Sequence, residues 1–214
     1  TIPKNVTTID RYAFDGCAAL TSINVDGANT TYSSVDGVLF NADKTELICY
    51  PAGRFETSYT VPESVTTIES EAFSQCELLY SISIPETVTS IGNYAFNNCR
   101  NLQTVEILAK VSVLPERMFG WCEKLTSVTI PATVTSIGSF AFDGCSSLTT
   151  IVVPSSVTSI GQSAFYGCTS LTNITLPFIG ATLDETSDTH FGYIFGASFY
   201  SDNSSYVPES LKQV

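Results

Sequence analysis

The residues from Leu125 to Cys145, LTSVTIPATVTSIGSFAFDGC, decide the fold. Moved on by 23 positions, the same pattern returns as LTTIVVPSSVTSIGQSAFYGC, from Leu148 to Cys168. Working outward, Phe14, Phe73, Phe96, Phe119, Phe142 and Phe165 each stand three residues before a cysteine: Cys17, Cys76, Cys99, Cys122, Cys145 and Cys168. From Phe73 through Phe165 the step is constant, four times running. Each cysteine is followed three residues later by a leucine (Leu20, Leu79, Leu102, Leu125, Leu148, Leu171) and then by an alternating apolar pair, such as Ile82 and Ile84 or Ile174 and Leu176. Self-similarity at a period of 20–50 residues is the signature of a solenoid.

The periods within the unit say what each part forms. I-x-I alternates apolar and polar side chains, which is a short half-buried strand. Pro85, Pro131, Pro154 and Pro177 follow it and end it, because proline cannot donate to a ladder. A second extended stretch follows at Val88 to Ile91, Val134 to Ile137 and Val157 to Ile160, and Gly92, Gly138 and Gly161 are expected to turn the chain. A-F-x-G-C is too short for a regular helix and reads as a turn. Its glycines (Gly16, Gly120, Gly144, Gly167) predict positive φ. Asn98 tolerates that region, whereas Gln75 in the same slot has no account from sequence. A 23-residue unit cannot bury its own apolar face, but stacked units can. The strands share direction and phase, so a parallel sheet along one side of a coil is expected.

L-x-x-I-x-I at this period resembles the leucine-rich repeats. The added I-P-x-S-V-T-S-I-G-x-x-A-F-x-G-C resembles their BspA-type subfamily, over essentially the whole chain. Leucine-rich repeats place an Asn three residues after the last strand apolar. Asn5, Ser64, Thr87, Thr133 and Ser156 hold that slot here, where a small polar side chain can satisfy loop backbone groups. The resemblance implies a bacterial cell-surface or secreted protein that binds host or matrix proteins or other cells. It assigns no residue-level site.

Two units are irregular. The step from Phe14 to Phe73 exceeds the regular one, and the excess reads as a variant repeat over 26–61. Tyr59 and Val61 supply its strand. The stretches 38–40 and 47–50 read as a β-hairpin protruding from the coil. The C-terminal unit, 177–207, is longer than the regular unit, and Pro208 to Val214 matches Pro62 to Ile68 in phase. That places an eighth and last strand end at Val207. With ~4.8 Å per rung the sheet is roughly 35 Å long. The chain is read as one solenoid domain, 1–214. Both ends fall mid-repeat, and the first residue is not Met, which reads as a piece of a longer array.

Charged residues make up 14% of the chain, against roughly 25% ordinarily. Ser and Thr contribute 27 each. The net charge of −12 argues against nucleic acid and against an anionic membrane surface. It is read as scattered charge that keeps the solenoid soluble. No apolar run approaches the ~20 residues of a membrane span.

Six of seven cysteines recur in one slot beside a phenylalanine, which reads as a column of buried thiols rather than a disulfide framework. There is no C-x-x-C and one histidine, so no metal site or cofactor is expected. His190 reads as structural, in an aromatic loop, and no nucleophile elbow or other catalytic arrangement is marked. Asp184, Glu185 and Asp188 read as a solvated acidic face. The aromatics Phe178, Phe191, Tyr193, Phe195, Phe199, Tyr200 and Tyr206 read first as core for the longer unit, and second as a binding patch.

The polar positions of L-x-x-I-x-I face outward. They give the candidate partner-binding face: Ser81, Ser83, Thr104, Glu106, Ser127, Thr129, Thr150, Asn173 and Thr175, with Val152 the apolar exception. The expectation is a monomeric, non-enzymatic surface module that binds protein. The alternative is a passive spacer that presents other domains.

Overall fold

An I-x-I segment has two inward apolar side chains and no means of covering them, so it needs a copy of itself above and below. The computed structural model, which describes residues 1–183, 188, 190–198 and 200–213, supplies those copies at the 23-residue spacing. Strands β4 (Ser58–Thr60), β6 (Ser81–Ile84) and β8 (Thr104–Ile107) pair in parallel, with Tyr59, Ile82 and Val105 in one row. Further along, β11 (Thr150–Val152) and β13 (Asn173–Thr175) pair in the same manner, Ile151 beside Ile174. Residues 127–130 between them keep the alternation, with Val128 and Ile130 buried, but form no strand. The expected sheet is therefore interrupted at the Ser127–Thr129 rung.

A second column of parallel strands completes the coil. It runs β3 (Glu46–Cys49), β5 (Thr67–Ile68), β7 (Ser90–Ile91), and then β9 (Val113–Leu114), β10 (Ser136–Ile137), β12 (Ser159–Ile160). The rows are Leu47, Ile68, Ile91 and Leu114, Ile137, Ile160. The hydroxyls of V-T-S-I-G reinforce it. Thr66, Thr89, Thr135 and Thr158 each donate Oγ1 to a carbonyl one coil back, at 3.1–3.4 Å. Of the five residues in the small polar slot after the strand, Ser64, Thr133 and Ser156 donate to the Lys44, Val111 and Val134 carbonyls, whereas Thr87 Oγ1 is buried without a partner among the described residues and so departs from the expectation.

Between the two columns run the aromatic rings. Tyr50, Phe73, Phe96, Phe119, Phe142, Phe165 and Phe195 form one column with centroid spacings of 5.0 to 6.3 Å. Phe73 through Phe165 are wholly buried, and so is Phe195. Tyr50 stands one regular step before Phe73, so it fills the phenylalanine slot of the variant repeat.

The cysteine column is buried at Cys76, Cys99, Cys122, Cys145 and Cys168, and all seven thiols are free. Its members are not merely small apolar residues. Cys99, Cys122, Cys145 and Cys168 donate Sγ–H to the carbonyls of Phe73, Phe96, Phe119 and Phe142, at 2.9–3.3 Å. Burial raises the pKa of Cys122, Cys145 and Cys168, which keeps the donor proton on sulfur. Cys17 departs from the expectation, because it is exposed.

Two glycine readings change, at Gly120 and at the Gly92, Gly138 and Gly161 slot. The slot after A-F-x in the Phe119 unit holds Trp121, not Gly120, and Trp121 takes φ 60° there. Gln75 and Asn98 take φ 62° in the same slot, beside Gly144 and Gly167 at 71°. A second left-handed position stands two residues before Phe73, Phe96, Phe119, Phe142 and Phe165, at Glu71, Tyr94, Arg117, Phe140 and Ser163. Gly92, Gly138 and Gly161 do not have positive φ. They are needed for close approach instead. A Cβ on Gly161 would stand 2.3 Å from Ser139 N, and one on Gly92 would stand 2.3 Å from Ser70 N.

The variant repeat does not protrude. β1 (Tyr32–Val35), β2 (Val38–Asn41) and β3 form an antiparallel meander, and β3 then joins the second column through β5. Asp36-Gly37, with φ 49° and 79°, makes the two-residue turn between β1 and β2. Val38, Leu39 and Phe40 are fully buried, so the hairpin is core.

The last unit also differs. Asn203–Tyr206 is one helical turn, and the strand expected to end at Val207 is absent. Gln213 pairs instead with Asn173, and Lys212 N donates to Thr172 O. Leu211-Lys212-Gln213 thus stands in register with Leu171-Thr172-Asn173, as the opening of the L-x-x-I pattern and not as the post-strand segment. The Val214 end of that match lies outside the described residues.

Gly161→Ala is expected to lower stability by ~1–3 kcal/mol, the usual range for overpacking against backbone. Chemical denaturation checks it.

Candidate functional site

The nine predicted face residues stand where the pleat puts them. Ser81 and Ser83 are half-buried and the other seven are exposed. Register brings Ser81 beside Thr104, Ser83 beside Glu106, and Thr150 beside Asn173. Ser83 Oγ donates to Glu106 Oε2 at 2.7 Å. Ser127 and Thr129 lie in the sheet interruption and join neither group through a ladder.

At the C-terminal end this face carries an apolar trough of about 680 Å³. Val152 and Ile179 are 63% and 54% exposed there, beside half-buried Phe178, with Thr150, Asn173 and Thr175 among the lining residues. Phe178 and Ile179 were not singled out as part of this face. The signal was present: Pro177-Phe178-Ile179 replaces the Pro-polar-polar run of Pro85-Glu86-Thr87 and Pro154-Ser155-Ser156.

The aromatics of the long unit are chiefly core. Phe195 ends the ring column, and Phe191 meets it edge-on at 5.2 Å. Phe178 and Tyr193 are half-buried, and Tyr206 is exposed, 6.4 Å from Tyr166. Phe199 lies outside the described residues. His190 packs edge-on to Tyr193 at 6.1 Å. Of the acidic trio, Asp188 is exposed, and Asp184 and Glu185 lie outside the described residues. No group of three His, Cys, Asp or Glu side chains converges to hold a metal among the described residues.

A second cavity, of about 320 Å³, lies beneath the first coil. Phe14, Leu20, Ile48 and Tyr50 line its apolar part, and Asp10, Asp15, Glu46, Glu69 and Glu71 line its polar part, with Arg11. Burial raises the pKa of Glu69, and the neighbouring Glu46 adds to the rise. Burial likewise raises Glu71, with Asp15 adding and Arg11 opposing. Burial pushes the Cys49 thiol up to about 12, with Cys17 contributing. Gln75 finds its explanation here. Its Nε2 donates to Asp15 Oδ1 at 2.7 Å, tying the first coil to a coil much later in the chain.

The BspA type Leucine rich repeat region matches this chain in six copies, over residues 1–53, 52–172 and 112–194. The chain belongs to the BspA-type leucine-rich repeat family. Among solved structures, this family member is similar to a leucine rich cell surface protein from Faecalibacterium prausnitzii, with 37% identity and a TM-score of 0.77. That match covers 89% of this chain and 50% of the other, so the chain spans half that protein's length. A leucine-rich repeat protein from Eubacterium ventriosum is 29% identical, with a TM-score of 0.55, over 88% of this chain and 62% of that one. The pneumococcal vaccine antigen PcpA shares the fold, with a TM-score of 0.78 at 23% identity, over all of this chain and 54% of its own. No curated protein sequence matches the chain. No helix among the described residues is long and apolar enough to cross a membrane.

Glu69, Glu71 and Asp143 favour the folded state as pH falls, and the exposed Glu86, held below its usual range by Lys110, acts in the opposite sense. Asp143 is buried, and that burial outweighs its 2.7 Å ion pair with Arg117, so its pKa is raised as well. All three bind a proton more readily folded than unfolded, so their contribution grows as pH falls through the carboxylate range. The melting temperature of this repeat protein is expected to be higher near pH 5 than at pH 8, where thermal scans check it. A lower value near pH 5 contradicts the raised pKa values.

Proposed function

We propose that the chain is a non-enzymatic, monomeric module, cell-surface or secreted, that binds protein through the outer face of its first strand column. Residues 1–214 act in it as one domain. The trough at Val152, Phe178 and Ile179 carries this reading. It sets exposed apolar side chains and the aromatic Phe178 among small uncharged polar residues, the arrangement of an apolar interface centre within a polar rim. Thr150, Asn173 and Thr175 form its rim, and Ser81, Ser83, Thr104, Glu106, Ser127 and Thr129 extend the contact toward the N-terminal coils. Host, matrix or other cell-surface proteins are the partners that fit. The cell-surface description of the Faecalibacterium prausnitzii relative supports the location.

The spacer reading rests on a different observation. From Ser81 to Thr129 the face presents almost only hydroxyls and the one carboxylate Glu106, a surface suited to regular rung packing.

Capture by the immobilised chain of a panel of matrix and cell-surface proteins separates the two. Val152→Glu combined with Ile179→Glu is expected to weaken capture at least about tenfold, the effect of losing ~1.4 kcal/mol at a hot spot. Both side chains are exposed, so the melting temperature stays at the unsubstituted value. Saturable capture that the substitutions leave unchanged moves the contact elsewhere. Capture no better than a bare support favours the spacer.

A further inference from the structure

The stack is broken at one junction, and the break makes a cavity. From Tyr50 to Phe195 every ring has a neighbour in the column, but among the described residues Phe14 has no ring contact with Tyr50. Between regular coils, backbone amides bond forward, as Glu71 N to Asn93 O, Phe73 N to Ala95 O and Gln75 N to Asn97 O. At the corresponding positions of the first coil, Tyr12 N bonds to Asp10 Oδ1 instead, and among the described residues Phe14 N and Gly16 N make no backbone bond to the next coil. Ala13 and Cys17 are exposed, where their counterparts Ala141 and Cys145 are buried. The ring-bearing turn of the first coil is thus held off the stack, while bonds from Gly53 N to Leu20 O, Ile23 N to Gly37 O, Ile9 N to Tyr32 Oη and Gln75 Nε2 to Asp15 Oδ1 join the coil around it.

The space left is about 320 Å³, within the range of small-ligand sites. Its charge is one-sided. Five of the chain's 21 acidic residues line it, against Arg11, whose guanidinium lies 4.4 Å from the Tyr12 ring centroid. The carboxylates come from three separate stretches of chain, at 10–15, 46 and 69–71. Because no three acidic, histidine or cysteine side chains converge as metal ligands among the described residues, a bare ion is a poor match. A cation with an apolar body matches both halves of the lining.

We infer that this cavity binds an organic cation, a primary ammonium or guanidinium carried on an aromatic or aliphatic body, with Phe14, Leu20, Ile48 and Tyr50 holding the body and Glu46, Glu69 and Glu71 the charge. The site lies by β3 and β5, away from the strand column proposed above as the protein-binding face, and does not depend on that reading. The cation can be a free amine or a lysine or arginine side chain of a partner.

Isothermal titration of the full chain with phenethylamine and with 3-phenylpropionate tests it, since the two share a body and differ in charge. Saturable binding of phenethylamine is expected, with 3-phenylpropionate at least about tenfold weaker. The Glu69→Gln, Glu71→Gln double variant is expected to weaken phenethylamine about tenfold, with an unchanged circular-dichroism spectrum. A Phe14→Ala variant, at a half-buried position outside the ring column, is expected to weaken it through the apolar half alone. A third titrant, N-acetyl-Phe-Lys-amide, distinguishes the sources: binding as tight as phenethylamine assigns a partner's side chain, and weaker binding assigns a free amine. Absence of phenethylamine binding, equal binding of the carboxylate analogue, or wild-type affinity in the double variant overturns the proposal.

Discussion

The stacking of one aromatic ring per coil is the interaction on which the remainder of this structure depends. No coil can bury its own I-x-I face, so each borrows its cover from the next, and the ring at the centre sets the spacing between them. Stacked pairs at 5.0–5.6 Å add ~0.5–1.5 kcal/mol each beyond the area they bury. The turn that delivers the ring needs two left-handed residues, one on each side, and non-glycine residues hold most of those positions. Such conformations persist only where the surroundings over-determine them. The ring column and the ladders flanking it supply that constraint.

The unusual composition follows from the same geometry. A thiol in the cysteine slot is small enough for the crowded interior and donates to the carbonyl of the phenylalanine one coil back. Alanine there would leave out the donor, and a larger residue would force the coils apart. Threonine hydroxyls do similar work along the second strand column. A buried carbonyl without enough donors is costly, so one thiol per rung is a stabilising choice rather than a bias of composition, while the threonine bonds lie on the exposed side. Acidic side chains are less evenly spread. They gather around the cavity under the first coil, where the stack is open.

What was legible in the sequence is what repeats. The strand column, the second extended stretch, the ring slot and the buried thiols all follow from period and alternation. The Asp36-Gly37 turn was also legible, as a two-residue hairpin signal between Val35 and Val38. So was Tyr50, by its distance of one regular step from Phe73. Leu211 to Val214 carried the L-x-x-I spacing, but the Pro208-Glu-Ser match to Pro62 hid it. The cavity was not legible. Ala13 to Cys17 and Ala141 to Cys145 are the same pentapeptide, AFDGC, yet one is packed and the other held off. Local sequence cannot encode that difference, because it is set by the coil that each copy meets. The interruption at 127–130 is of the same kind, since its residues fit the pattern fully.

A solenoid joined through nearest neighbours offers function at its exceptions. The trough at Val152 and Ile179 and the cavity at Phe14 both occur where a unit departs from the regular repeat. The regular coils between act as the rigid support that fixes them. That division depends on the ring column being a chain of pairwise couplings. A double-mutant cycle on Phe119→Leu and Phe142→Leu, against a second cycle on Phe96→Leu and Phe165→Leu, measures it directly. Adjacent rings are expected to couple by ~0.5–1.5 kcal/mol and separated rings by about zero. Equal coupling in the two cycles, or none between Phe119 and Phe142, would contradict the account.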